Sequence, residues 1–161
     1  MRFPSLKTVI GATLAIALLI VFTSEKVLSD HRGGGRLEGT WDVVLTVRNC
    51  DTGNELRHFP ELATFMFGGT MLDSTSGMPQ SAKTPGHGVW NHLSGDTYSF
   101  TFKALTFNAA GTLSGSVKVT HTVVLSSDAD EYSSAGGVEI YDASGSLVGR
   151  GCSTSTATRL E

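Results

Sequence analysis

The sequence predicts an all-β protein: an eight-stranded antiparallel up-and-down β-barrel that follows an N-terminal apolar signal helix. Three observations lead there. Beyond residue 37 helical periodicity is absent, and apolar residues alternate with polar ones at the period of a half-buried strand. Runs of this kind recur at short intervals between Gly, Ser, Asn and Asp turn signals. The two cysteines fall at the end of the first such run and inside the last, as a stapled seam would require.

The chain divides into residues 1–29, 30–36 and 37–161. In the first part Arg2 and Lys7 precede an uninterrupted apolar run, residues 9–22. Fourteen helical residues rise about 21 Å, short of a hydrocarbon core of about 30 Å. A positive start, a short apolar run and a polar exit read as a secretory signal peptide, with cleavage after Ser29. An uncleaved N-terminal anchor is the alternative, and in that case this segment would be the protein's contact with a membrane. Residues 30–36 (DHRGGGR) carry no apolar side chain and read as a flexible linker.

The barrel is read strand by strand. The first strand, 39–49, puts Trp41, Val43, Leu45 and Val47 on one face. The second, 62–67, meets the third, 70–75, across Gly68-Gly69, a pair suited to a two-residue hairpin. The fourth spans 87–93. The fifth, 97–106, alternates Tyr98, Phe100 and Phe102 with Ser99, Thr101 and Lys103. The sixth spans 112–126, with His121 on the face of Val117, Val119, Val123 and Leu125. The seventh and eighth span 131–141 and 146–160. Short links and an even count allow the first and last strands to pair and close the sheet.

Cys50 and Cys152 have each other as sole partner, and an exported protein can keep a disulfide. Setting them opposite one another runs the first strand along the last, down to Trp41 opposite Glu161. Parity then turns Arg159 inward, one diagonal step from Trp41, where a guanidinium can lie on the indole.

Without residues 1–29 the chain keeps nine basic and 14 acidic residues, a formal charge of −5. No basic run is present, which argues against nucleic acid and anionic lipid as partners. No cofactor motif, nucleophile elbow or phosphate loop appears, and no metal site is expected from His58, His87, His92 and His121, which lack ligand spacing.

Gly39-Thr40-Trp41 at the start of the first strand, with Arg159 near the end of the last, resembles the closed end of the lipocalin and wider calycin barrels. The runs Thr64-Phe65, Gly68-Gly69-Thr70, Pro85-Gly86-His87-Gly88-Val89-Trp90 and Gly151-Cys152 also resemble uncharacterised secreted bacterial proteins of lipocalin-like type. The resemblance implies a cup closed by Trp41 and Arg159, holding a small apolar ligand in the periplasm or outside the cell. On that reading the candidate ligand contacts are Phe65, Phe67, Trp90, His92, Tyr98, Phe100 and His121. The phenylalanines have a simpler role as barrel filling, and His121 as a hydrogen-bonded core histidine. Strand four leaves two faces open: either Trp90 and His92 point inward, or His87, Val89 and Leu93 do. The loops 50–61 and 76–86 are expected at the end opposite Trp41, the second as a lid. Two other classes of function stay open. One is an envelope or protein-interaction module with a filled barrel. The other is an enzyme resembling allene oxide cyclase, using His121 or Tyr98 in an apolar cavity.

Overall fold

The computed structural model describes residues 36–161, so the signal segment and all but the last residue of the linker lie outside the described part. Eight antiparallel strands follow one another: β1 (Gly39–Arg48), β2 (Glu55–Met66), β3 (Thr70–Thr75), β4 (Gly86–Ser94), β5 (Thr97–Phe107), β6 (Leu113–Leu125), β7 (Glu131–Asp142) and β8 (Leu147–Arg159). Each pairs with its sequence neighbours, and β1 pairs with β8, closing the barrel. The expected fold class holds for the described residues.

One end is packed solid. Trp41, Phe65, Met71, Trp90 and Val123 are each no more than 2 % exposed there. Trp41 meets Tyr132 edge-on at 4.9 Å, and Phe65 touches Trp90, Phe100 and Tyr132 in turn. Arg36 and Leu37 cap this layer: Leu37 is fully buried and its carbonyl accepts from Trp41 Nε1 at 3.0 Å. Arg159 lies over the indole, 4.3 Å from its centroid, and donates to the carbonyls of Glu38, Ala129 and Arg36. Gly39 explains the first residue of the Gly-x-Trp triplet. Its φ is +124°, and a Cβ there would stand 2.6 Å from the Arg159 guanidinium.

Four expectations need correcting. The seam register is Trp41 opposite Arg159 and Arg48 opposite Cys152, two residues from the expected pairing. The cause is local: Asn49 ends β1 by accepting from the amides of Asp51 and Thr52 through its side chain, so Cys50 lies in the turn and reaches Cys152 diagonally. The disulfide forms, with Cα atoms 5.2 Å apart. A slip of two keeps every side chain on its face, so Arg159 is inward as expected and directly opposite Trp41.

The second correction is the length of β2. Residues 55–61, expected as loop, extend the strand along the whole of β1. Pro60 is tolerated because β3 ends at Thr75; only the Pro60 carbonyl is used, accepting from Ser76 N at 3.0 Å. Third, the β2–β3 hairpin has three loop residues, Phe67-Gly68-Gly69, not two. The Met66 carbonyl accepts from both Gly69 N and Trp90 Nε1, which starts the turn one residue early and leaves Phe67 81 % exposed. Fourth, the ambiguity in β4 is settled half-way: Trp90 is buried and faces inward, but His92, at the strand's end, is exposed.

Candidate functional site

Above the packed layer the barrel is hollow. A cavity of about 590 Å³ opens at the end opposite Trp41. Its wall is apolar because the inward positions of β1, β5 and β6 there carry Leu45, Val47, Phe102, Val117 and Val119. Phe59, on the part of β2 expected as loop, completes the wall and is covered by Gly77 of the β3–β4 connection. That connection lies at the mouth, as expected, and its second half bonds along β5: Thr84 N donates to Leu105 O and Phe107 N to Ala82 O.

One polar group of three breaks this wall. Glu61 of β2 and Asp73 of β3 occupy inward positions on adjacent strands, and Lys83 reaches them from the β3–β4 connection. Lys83 Nζ is 3.0 Å from Asp73 Oδ1, and both side chains are nearly inaccessible to solvent. The same ammonium lies 5.7 Å from the centroid of the Phe102 ring. Asp73 Oδ2 meets no amide, hydroxyl or ammonium donor. The Glu61 carboxyl lies close enough for the two acids to repel as anions, which favours a proton on one of them. Burial first, and the Asp73 charge second, raise Glu61 to about 9, so Glu61 is the protonated member. At neutral pH the group is a neutral acid, a carboxylate and an ammonium, with no net charge.

His121 sits deeper, outside the cavity wall. Its Nδ1 is 2.7 Å from Ser134 Oγ and its Nε2 2.8 Å from Ser153 Oγ, while Ser134 also bonds Ser155 at 2.7 Å. Its ring stacks on Phe100 at 5.3 Å. Gly136, opposite it on β7, gives the ring its space: a Cβ there would stand 2.5 Å from His121 Cδ2. Burial holds the imidazole at about 4, so it is neutral and fully hydrogen-bonded at physiological pH. The geometry is that of a core histidine.

The other sequence candidates lie elsewhere too. Phe65, Trp90, Tyr98 and Phe100 belong to the packed layer. Phe67 is on the hairpin tip, and His92 rests on Tyr98 at the closed end with Nε2 2.7 Å from Gly95 O. None of the seven lines the cavity. The site residues that sequence reasoning passed over, Glu61 and Asp73, did carry a signal. Asp73 shares a face with Met71, and Glu61 shares one with Ala63 and Phe65, which places acids at inward positions. Lys83, on a connection without periodicity, carried none.

No protein-family model, no curated protein and no solved structure matches this chain.

The buried acid and imidazole give opposed pH dependences. Folded Glu61 keeps its proton up to about 9, whereas an unfolded one loses it near 4.5. Its contribution is complete below pH 4.5 and is lost as pH rises through 9. His121 works in reverse: its contribution is present above about pH 6.5 and is lost as pH falls through 4. Urea unfolding across pH 4–9 should therefore show stability falling towards both extremes. Glu61→Gln should flatten the alkaline side and leave the acid side in place. An alkaline slope that survives the substitution would assign it to another group.

Proposed function

We propose that this protein is an exported binding protein whose barrel holds a small apolar molecule, as the resemblance to lipocalins implies. The observation that carries the reading is the hollow half of the barrel: an apolar cup of about 590 Å³ above a solid floor. Its volume lies within the range of about 300–1,000 Å³ usual for small-molecule sites, as does its pattern of apolar walls with a few convergent polar groups. The hollow mouth half favours the cup over the filled-barrel alternative. The calycin-enzyme alternative was built on His121 or Tyr98, and neither side chain reaches the cavity. The Cys50–Cys152 disulfide fits an oxidising compartment outside the cytoplasm.

The test is titration with N-phenyl-1-naphthylamine, a neutral apolar fluorophore that brightens when shielded from water. Saturable 1:1 binding is expected, weakened at least about tenfold by Val117→Trp, which fills the cup, in protein shown to be folded by circular dichroism. Equal affinity in the filled variant would place the fluorophore elsewhere and remove the reading.

A further inference from the structure

The chain is acidic, yet its cavity is not. Among residues 36–161 there are eight Lys and Arg against 13 Asp and Glu. Four of those eight cations line the cavity: Arg48, Arg57, Lys83 and Arg150. Only two of the 13 acids do, Glu61 and Asp73. Chance distribution on an acidic surface would give the opposite balance.

The two signs are also separated in depth. Glu61, Asp73 and Lys83 sit along the inner wall and cancel one another, since Lys83 holds Asp73 and Glu61 keeps its proton. The three arginines stand at the mouth, where β1 ends, β2 begins and β8 begins. Arg57 pairs with Val47 across the β1–β2 ladder, and Val47 is an inward position. Its guanidinium rests 5.1 Å from the Phe59 centroid, at the edge of the apolar wall. Arg48 donates to Thr154 Oγ1 at 2.8 Å and to the Gly53 carbonyl at 3.1 Å, which holds its side chain on the outer face of the β1–β8 seam. Arg150 is largely exposed and only loosely placed beside Glu139, at 3.8 Å. Arg57 is thus the arginine on the inner side of the mouth, next to apolar surface, and a guanidinium presents forked donors that match an oxyanion.

We propose that the ligand is an amphiphilic acid, its apolar tail in the cup and its anionic head group at the mouth against Arg57. This rests on the cup reading given above and adds the chemistry of the head group. A carboxylate, a phosphate or a sulfate would satisfy the same arginine. The inner wall contributes in a second way. Because its polar group is already internally paired, a tail that stops short of it leaves those bonds intact, and a charged group pushed down to it would have to break them.

The experiment displaces N-phenyl-1-naphthylamine from the cup with three molecules of one chain length: dodecanoate, dodecanol and dodecylamine, all below micelle formation. Dodecyl phosphate and dodecyl sulfate are then compared with dodecanoate to rank the head groups. The expected result is that dodecanoate binds about tenfold or more tighter than dodecanol, with dodecylamine weakest. Added salt should erode the advantage of the acid and leave dodecanol unaffected. Arg57→Gln should reduce dodecanoate affinity several-fold, and Arg150→Gln, on the outer face, should leave it unchanged; neither should change the fluorophore's own affinity, which also reports that the cup is intact. Equal affinity for acid and alcohol, or a preference for the amine, overturns the head-group assignment and leaves the cup standing. Failure of the fluorophore itself to bind overturns the cup reading instead.

Discussion

Replacing Cys50 and Cys152 together by serine is expected to destabilise the barrel by about 4 kcal/mol, the entropy of closing a loop of roughly 100 residues in the unfolded chain. The bond joins residues 102 positions apart, one just past the end of β1 and the other within β8. Almost the entire barrel is inside that loop, so the unfolded state loses more freedom than it would to a local bridge. For a domain of this size the loss converts to a drop of roughly 10–20 °C in Tm. Urea unfolding with and without reductant measures it. Because the effect acts on the unfolded chain, the m-value should rise as that chain expands. A loss below about 1 kcal/mol would mean that the β1–β8 ladder closes the sheet without help, and that the bond restrains only the mouth.

Lys83→Met carries the second large effect. Removing one member of a buried ion pair leaves the other charge unsolvated, which costs about 3–5 kcal/mol. Asp73 would then be a fully buried side chain without its counter-charge. The double substitution Asp73→Asn, Lys83→Met removes both charges and should recover most of the loss. Urea unfolding of the wild type, both single variants and the double variant closes the thermodynamic cycle. A double variant as unstable as Lys83→Met would show that the lysine matters as a strut for the β3–β4 connection, through its ladder contact with Thr106, and not as a counter-charge.

Much of the barrel was legible because strand period and parity are local properties. Alternation placed Trp41, Phe100 and His121 on inward faces, and the even strand count implied closure, all as found. Register was less accessible. Nothing in the spacing of Cys50 and Cys152 reveals that Asn49 bends the chain before Cys50, so the pairing was set two residues out. The first half of β2 was hidden by Glu55, Arg57, His58, Pro60 and Glu61, which together look like a solvated loop. Those same residues supply part of the candidate site. Arg57 and Glu61 are polar because they face a cavity, and a rule that reads inward faces from apolar residues must miss a strand whose inward face is partly wet. Of the aromatic residues taken for ligand contacts, Phe65, Trp90, Tyr98 and Phe100 are interior but lie below the cavity, and Phe67 is exposed on a hairpin tip. Large rings fill the closed half, and the open half is lined mostly by aliphatic side chains, with Phe59 and Phe102 among them.

Both ends of the described chain leave the barrel at the same pole. Arg36 is held there by Asp96 and by the carbonyls of Ser126 and Ser127, and Leu160 N donates to Thr40 O beside it. The cup opens at the other pole. Attachment to a bead, a sensor chip or a fusion partner through either end therefore presents the opening outwards, unobstructed. On the binding function proposed above, a protein displayed in this way should take up a soluble solute as readily as the free form.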